Sequence, residues 1–324
     1  MTAGTNELAI SFADVRDAER QLAGTVNRTP IFSSRTLDEL TGRRIFMKCE
    51  SFQRTGSFKF RGAYNAISRL NAEQRATGVI AYSSGNHAQG VARSAQLLGI
   101  PAVVIMPTDA PSVKVDATRE YGAEIIFYDR QQVDGEDYQH QLAAERGMTL
   151  IHPYDHPHIM AGQGTAALEL LADIPDLDAL VMPVGGGGLL AGCAIAAKGL
   201  RPDIHVLGVE TTGADDTKQS LDKGERVVIP PPPTIADGIR LRTPGDLTFP
   251  VVQALVDDVL VITDDDVRDA LRFVLTRMKL IIEPSGAVPV AAALRGTIPD
   301  AYERVGIIIS GGNIDPALLA TLWS

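Results

Sequence analysis

The sequence predicts an α/β fold in which twisted, mainly parallel sheets are flanked by helices. From about residue 76 onward, short β-rich runs alternate with segments of helical pattern, as expected for parallel strands joined by helices. The runs are almost continuously apolar, which is typical of strands buried on both faces. The chain has 324 residues, of which 45% are hydrophobic, and this length suffices for two modest domains.

The predicted elements follow one another in a regular order. Six apolar runs are predicted to be strands, at 79–83, 102–106, 124–128, 179–184, 205–210 and 305–310. Helix-like segments lie between them at 87–99, 112–123 and 161–173. The stretch 152–160 interrupts the alternation and is expected to link two lobes. The Pro-rich stretch 224–247 is expected to form one long ordered loop.

Charge and composition exclude several kinds of partner. A formal net charge of −10 argues against nucleic acid, because phosphate binding needs clustered Lys and Arg. The two cysteines, Cys49 and Cys193, follow no metal-ligand spacing and suit a reducing compartment, so we expect a cytoplasmic protein. We expect no signal peptide, because the N-terminus lacks a basic patch followed by an apolar run. We expect no membrane span, because the uncharged stretch 179–197 contains Pro183 and four consecutive glycines.

The first motif that suggests chemistry is SFQRTGSFKFRGAYNAI at 51–67, which contains Lys59. A lysine that binds an aldehyde covalently needs a desolvated position, because only the neutral amine is nucleophilic. Taken alone, however, this segment fits a surface lysine on a helix better.

A second motif, SSGNHAQG at 83–90, follows a predicted strand and begins a helix. Its hydroxyl, amide and backbone N–H groups at a helix N-terminus favour an anion such as a carboxylate. An N-cap made by Ser84, followed by a turn at Gly85 and Asn86, explains the same residues without a ligand.

Four consecutive glycines at 185–188 separate a predicted strand from a predicted helix. Such a loop lets the backbone approach a phosphate closely, and the helix dipole adds favourable charge. The pattern is not a P-loop, because no Gly-Lys-Ser/Thr follows. Residues 186–191 also fit a loose dinucleotide-binding pattern, with Glu210 about 20 residues further on, so an NAD-dependent oxidoreductase is an alternative.

Oxygen-bearing residues give two further signals. Ser310 ends a predicted strand, where its hydroxyl can face a ligand, although a turn explains the following SGGN equally well. Glu210, Asp216 and the carbonyl of Ala214 are hard oxygen ligands suited to Mg²⁺ or Ca²⁺. A helix N-terminus complemented by Asp215 and Asp216 is the alternative.

Three histidines, His152, His156 and His158, are spaced closely enough to suggest metal ligation. Pro153 and Pro157 are expected to break any helix that would align them, so the sequence favours a loop.

Taken together and in this order, the motifs SFKFRGA, SSGNHAQG, GQGT, GGGGL, ADG and SGGN resemble the fold-type-II pyridoxal-phosphate enzymes over nearly the whole chain. The resemblance is strongest to the branch of serine/threonine dehydratases (ammonia-lyases) and serine racemases. It implies a two-domain, tryptophan synthase β-like architecture. Residues 1–77 and 153–324 would form a large cofactor-binding domain, and residues 78–152 a small domain inserted in it.

The resemblance also implies catalytic and cofactor-binding residues. Lys59 would carry pyridoxal 5'-phosphate and serve as the catalytic base, and Ser84 would stand opposite as a second acid/base group. The residues expected to bind the cofactor, besides Lys59, are Phe58 beside the ring, Asn86 at the ring hydroxyl, Ser310 at the ring nitrogen, and Gly185, Gly186, Gly187 and Gly188 at the phosphate.

The substrate and a cation are expected at separate places. Ser83, Asn86 and His87 would bind the substrate carboxylate. A divalent cation, Mg²⁺ or else Ca²⁺ or Mn²⁺, is implied at Glu210, Asp216 and the carbonyl of Ala214. A homodimer is also implied, and a nucleotide effector is left open.

The activity implied is dehydration and deamination of L-serine or L-threonine to a 2-keto acid and ammonia, with serine racemase activity through Ser84. The stretches MPTDAP, TREYGAE and FYDR look like L-threo-3-hydroxyaspartate ammonia-lyases, which are the alternative. Arg130, Arg240 or Arg242 is then a candidate to pair with the second carboxylate, with solvated surface arginines as the default. A β-replacement synthase and a non-catalytic amino-acid sensor are the remaining alternatives within the fold.

Overall fold

The structure is a computed structural model that describes residues 8–110, 112–129 and 131–323. Arg130, one of the three loop arginines, therefore lies outside the described residues. In chain order, the strands of the described part are β1 (Ile31–Phe32), β2 (Arg44–Cys49), β3 (Val79–Tyr82), β4 (Ala102–Pro107), β5 (Glu124–Tyr128), β6 (Thr149–Leu150), β7 (Ala179–Pro183), β8 (His205–Thr211), β9 (Asp258–Ile262) and β10 (Arg304–Ile309).

These strands form two sheets. The larger sheet has the order β1-β2-β10-β7-β8-β9, and its neighbouring strands are parallel except for β1 and β2. The smaller sheet has the order β5-β4-β3-β6 and is parallel throughout. The predicted α/β class with mainly parallel sheets is confirmed.

Helices connect the strands and cover the sheets. In chain order, the α-helices of the described part are α1 (Phe12–Leu22), α2 (Arg35–Thr41), α3 (Lys59–Ile67), α4 (Ala72–Thr77), α5 (Asn86–Leu98), α6 (Ser112–Glu120), α7 (Gly135–Arg146), α8 (Pro157–Asp173), α9 (Gly188–Leu200), α10 (Asp216–Lys223), α11 (Thr248–Leu255), α12 (Asp264–Phe273), α13 (Pro284–Arg295) and α14 (Pro316–Ala320). None of them is both long and apolar enough to cross a membrane.

The six predicted strands agree with β3, β4, β5, β7, β8 and β10 to within one residue at each end. The stretch 224–247 is a loop apart from one 3₁₀ turn at Asp237–Ile239. The expectation for 152–160 is wrong in part, because α8 begins at Pro157 and includes His158. Proline suits the first position of a helix, where its missing N–H is not needed.

The core lies on both faces of the larger sheet. One apolar cluster joins that sheet to α1, α8, α9 and α11, and a second joins its other face to α2, α12 and α13. Smaller clusters cover the smaller sheet. The carboxyl ends of parallel strands are where ligand sites of open α/β sheets usually lie. The division of the chain into domains at 78–152 stays a prediction.

Candidate active site

A cavity of about 620 Å³ lies where loops from the two sheets meet. The loops after β3, β7 and β10 and the start of α3 all reach it. The residues expected at the cofactor and the substrate carboxylate all line this cavity: Phe58, Lys59, Ser83, Ser84, Asn86, His87, Gly185, Gly186, Gly187, Gly188 and Ser310. The expected cation ligands Glu210, Ala214 and Asp216 do not line it.

Lys59 is the first residue of α3, and the chain before it is tied to the end of β10. The backbone N–H of Phe58 donates to the carbonyl oxygen of Ser310 at 3.0 Å. The Lys59 Nζ donates to the carbonyl oxygen of Pro153 at 2.7 Å. Burial lowers the pKa of Lys59 to about 8, although the nearby Glu283 carboxylate opposes this effect. A usable fraction of the amine is therefore neutral near pH 7.

The tetraglycine loop, residues 185–188, runs from β7 into α9. A Cβ on Gly186 would overlap the ring of Tyr154, and a Cβ on Gly188 would lie 2.9 Å from Tyr154 atoms. Gly187 has φ +89°, a conformation that residues with a side chain rarely adopt. The loop therefore exposes bare backbone at the N-terminus of a 13-residue helix, which suits a phosphate.

The loop after β3 brings a second helix N-terminus to the cavity. Gly85, rather than Ser84, occupies the N-cap of α5, and no side chain among the described residues caps this helix. The alternative in which Ser84 is a simple N-cap is therefore wrong. The Ser83 hydroxyl accepts the N–H of Gly85 at 3.1 Å. The uncapped first turn of α5 is electrostatically suited to an anion.

Glu283 is a buried carboxylate that the sequence motifs did not single out. Its two oxygens accept from the Asn86 Nδ2 at 2.9 and 2.8 Å. The Ser310 hydroxyl lies 3.4 Å from Glu283 Oε1, and Asn313 Nδ2 donates to Asn86 Oδ1 at 2.8 Å. Burial raises the pKa of Glu283 to about 7. The only sequence signal is its place before Pro284 at the start of α13, where an acidic residue is ordinary.

Two histidines line the cavity as neutral rings. His87 Nε2 lies 2.8 Å from the carbonyl oxygen of Ile151, and burial, reinforced by the charge of Lys59, lowers its pKa to about 3. Burial also lowers the pKa of His152 to about 4. The Nδ1 of His152 accepts the backbone N–H of Asp155 at 2.8 Å, which leaves the proton of the neutral ring on Nε2.

The expected cation ligands lie together at the end of β8. Glu210 accepts the backbone N–H groups of Thr217 at 3.1 Å and Lys218 at 2.9 Å. Both carboxylate oxygens of Asp216 are buried without a hydrogen-bond partner in the described part of the chain. Burial, reinforced by Asp216, raises the pKa of Glu210, and burial raises the pKa of Asp216 to about 7. The adjacent turn is closed by the N–H of Ala214, whose carbonyl is the third expected ligand.

The positions of Glu210 and Asp216 test two alternatives from the sequence, a dinucleotide site and a simple helix N-terminus. Because Glu210 is engaged with α10 and lies outside the cavity, it does not suit the ribose of a dinucleotide. Asp215 occupies the N-cap of α10 without a capping hydrogen bond, and its Oδ1 instead accepts from Gln219 Nε2 at 3.1 Å, so capping does not explain the buried Asp216. Asp216 lies in the first turn of α10, so the helix-dipole alternative stays open. Within residues 8–110, 112–129 and 131–323, no group of three or more His, Cys, Asp or Glu side chains is placed to hold a metal ion. A cation here would use two carboxylates and backbone carbonyls.

The structure distinguishes two of the three loop arginines. Arg240 lines the cavity, and its guanidinium forms no ion pair within the part of the chain that the structure describes. Arg242 does not line the cavity, and its Nε donates to the carbonyl oxygen of Ile229 at 3.0 Å.

Comparison with known proteins places the chain among enzymes. The family model described as pyridoxal-phosphate dependent enzyme matches residues 22–311. An L-threo-3-hydroxyaspartate ammonia-lyase from Pseudomonas sp is 50% identical over 96% of this chain and 98% of its own length. A serine racemase from Schizosaccharomyces pombe is 47% identical over 94% of each chain. The solved structure of maize serine racemase has a TM-score of 0.92 at 42% identity and covers 96% of each chain. The chain therefore belongs to the family of pyridoxal-phosphate dependent enzymes.

Proposed function

We propose that this protein is an ammonia-lyase that eliminates water from a small β-hydroxy amino acid, with L-serine and L-threonine as the first substrates to consider and serine racemisation as an accompanying activity. The names of the similar proteins support this class of reaction. The observation that carries the proposal is the amine of Lys59. It has a pKa lowered to about 8 and shares one cavity with the tetraglycine loop and the start of α5.

The residues present fit pyridoxal phosphate, the cofactor of the family. A desolvated amine at Lys59 suits its aldehyde, and the bare backbone of the tetraglycine loop suits its phosphate. The Ser310 hydroxyl would face the ring nitrogen, and Asn86 the ring hydroxyl. When bound, the cofactor supplies an electron sink for the bond broken at the α-carbon.

The chain's own groups then have separate tasks. Ser83, Asn86 and the N-terminus of α5 would hold the substrate carboxylate. The Lys59 amine would take the α-proton, while the β-hydroxyl leaves as water. The released enamine then takes up water to give a 2-keto acid and ammonia. The hydroxyl of Ser84, which also lines the cavity, would return a proton to the opposite face and so give the D-amino acid.

A specific observation favours L-threo-3-hydroxyaspartate as a second candidate substrate. Arg240 lines the cavity without an ion pair in the described residues, and a guanidinium is the side chain best suited to a carboxylate. The similar ammonia-lyase from Pseudomonas sp is named for this substrate.

We also propose a divalent cation, Mg²⁺ or alternatively Ca²⁺ or Mn²⁺, at Glu210, Asp216 and the carbonyl of Ala214. The unpartnered oxygens of Asp216 support it, because buried charge needs a counter-charge. The inserted small domain at 78–152 is proposed on the strength of the parallel sheet β3 to β6, which lies within these residues.

One experiment tests the reaction directly. The purified protein is incubated with L-serine, D-serine, L-threonine and L-threo-3-hydroxyaspartate, with and without Mg²⁺, and keto acid, ammonia and enantiomer are measured. Keto acid and ammonia in equal amounts are expected. Their absence with every substrate would reject the proposal.

A further inference from the structure

The first turn of α7 is held against the cavity wall. Gly135, the first residue of α7, lies so close to Tyr82 that a Cβ at position 135 would overlap the Tyr82 ring. Tyr82 ends β3 and immediately precedes Ser83 and Ser84, and all three line the cavity. The start of α7 therefore lies beside the loop proposed to bind the substrate carboxylate.

Gln139 lies one helical turn after Gly135, on the same face of α7. Gln139 is 3% exposed to solvent and lines the cavity. Its Oε1 is buried without a hydrogen-bond partner among the described residues. An unpaired buried amide oxygen is unfavourable, so this atom is available to accept a hydrogen bond from a ligand in the cavity.

The neighbouring polar groups do not supply that partner. The hydroxyls of Tyr82 and Tyr128 lie 2.6 Å apart and bond to each other. Glu136 lines the rim of the cavity and is exposed to solvent. The other glutamine of this helix, Gln141, is also exposed, and its Nε2 donates to Glu145 at 2.7 Å.

We infer that Gln139 determines substrate specificity by binding the polar groups on the β-carbon of the substrate, and that it favours a β-hydroxy amino acid with a second carboxylate. A carboxamide both accepts and donates, so Oε1 accepts from the β-hydroxyl and Nε2 donates to the carboxylate. L-threo-3-hydroxyaspartate satisfies both atoms, L-serine satisfies only one, and L-threonine places a methyl group where a partner is needed. The inference rests on the proposed function and narrows its substrate.

The test compares specificity ratios in Gln139→Glu, Gln139→Leu and the control Gln141→Leu, which changes an exposed glutamine of the same helix. Wild type is expected to have a higher kcat/KM for L-threo-3-hydroxyaspartate than for L-threonine. Gln139→Glu places a like charge beside the second carboxylate and is expected to lower that ratio about tenfold or more. Gln139→Leu is expected to lower it about tenfold by removing both hydrogen bonds. Gln141→Leu is expected to leave the ratio unchanged.

A binding measurement gives a readout that does not require turnover. L-aspartate carries the second carboxylate but no leaving hydroxyl, and its Kd relative to that of L-alanine is measured by calorimetry on the holoenzyme. A rise of this ratio of about tenfold in Gln139→Glu is expected. A wild type that prefers L-threonine, or ratios that neither Gln139 variant changes, would overturn the inference. Failure of the proposed function is distinguishable, because it shows as no keto acid from any substrate, while the aspartate titration still tests Gln139.

Discussion

A single amine sets the chemistry of the cavity. Replacement of Lys59 by Ala removes the group that is proposed to bind the cofactor and to take the α-proton. We expect Lys59→Ala to lose the visible absorbance of bound cofactor and all measurable keto acid formation. Lys223→Ala, an exposed lysine at the end of α10, is the control and keeps both. A variant at 59 that stayed yellow and active would contradict the assignment.

His87 makes stability depend on pH in a defined direction. Its pKa is about 3 in the folded chain against an ordinary value of 6.5. Below pH 6.5 the ring of His87 becomes protonated in the unfolded chain but stays neutral in the folded chain. The free energy of unfolding therefore falls as the pH drops from 6.5 toward 3. We expect His87→Asn to make this decline shallower.

Urea unfolding of His87→Asn, wild type and the control His140→Asn at about pH 7.5, 6 and 5 measures the slope. His140 is exposed and serves for comparison. Equal slopes for all three proteins would show that the ring of His87 is not held neutral.

Residues within contiguous motifs could be predicted from the sequence, and residues that act through distant partners could not. Lys59 and residues 185–188 lie in runs whose composition already restricts their chemistry. Glu283 and Gln139 matter because the folded chain buries them. Burial, reinforced by the charge of Asp237, raises the pKa of Glu283 against the hydrogen bonds from Asn86 and Ser310. No local pattern encodes that burial.

Among the elements, α3 is fixed by a buried ionic network at its start. Arg61 is fully buried, with Nε 2.7 Å from Glu50 and a second nitrogen 2.7 Å from Glu169. Lys48 on β2 also bonds Glu169, at 2.6 Å. Because Arg61 lies two residues after Lys59, this network joins β2, α3 and α8 around the proposed catalytic residue.

Breaking this network is expected to be costly. Arg61→Ala removes the ion-pair partner of the buried Glu50 carboxylate, which among the described residues keeps only its hydrogen bond from the Thr29 hydroxyl, so we expect a loss of about 3–5 kcal/mol in the free energy of unfolding. The control Arg16→Ala breaks an exposed pair with Glu19 and is expected to cost about 1 kcal/mol or less. Urea unfolding measures the loss in the free energy of unfolding for each variant. Similar losses in the two variants would show that the network does not stabilise the start of α3.

The turn between β8 and α10 predicts a response to metal. At about 100-fold excess over its Kd, a bound cation raises the free energy of unfolding by about 2.7 kcal/mol. We therefore expect Mg²⁺ to raise the Tm of wild type by several degrees, and EDTA to reverse the rise in Tm. Asp216→Asn is expected to abolish the shift. Asp222→Asn, at the exposed end of the same helix, is the control and keeps it. An undiminished shift in Asp216→Asn would place the cation elsewhere.

Elements were predictable where burial makes a strand continuously apolar, as in β4 and β7. The sequence did not indicate β1 or β6, which have two residues each and exist only through pairing with neighbours. The π-helical turn at Val274–Met278 was also not predicted, since it depends on how α12 ends against the core.

At the scale of the whole molecule, one ion pair joins the two sides of the cavity. Lys114 on α6, beside the smaller sheet, lies 2.6 Å from Asp237 in the long loop beside the larger sheet. Both residues line the cavity. Because both side chains are partly exposed, the ion pair contributes little to the stability of the fold. We expect it mainly to hold the two sides of the cavity together.

We expect Lys114→Ala to raise KM several-fold, with a change in Tm of no more than about 2 °C. Lys198→Ala breaks a pair of similar exposure with Asp257, away from the cavity, and is expected to leave KM unchanged. An equal effect of both variants on KM would mean that the bridge has no role in substrate access.

The alternation of strands and helices predicts parallel sheets, but it does not show that the loops after β3, β7 and β10 converge on one cavity. That expectation came from the order of the motifs and their resemblance to a known family. The physical reason is that convergence depends on how the sheets pack, which local periodicity does not record.

The contact between Tyr154 and the tetraglycine loop links two distant positions in their tolerance of mutation. Because the ring fills the space that a side chain at 186 would occupy, that glycine cannot be enlarged while the ring remains, whereas a side chain at 188 would meet the backbone of Tyr154 whatever residue stands there. A methyl group at 186 becomes acceptable only after position 154 has become small. Evolutionary drift at these sites is therefore expected in a fixed order, position 154 before position 186, and a library that randomises position 186 alone is expected to return glycine almost exclusively.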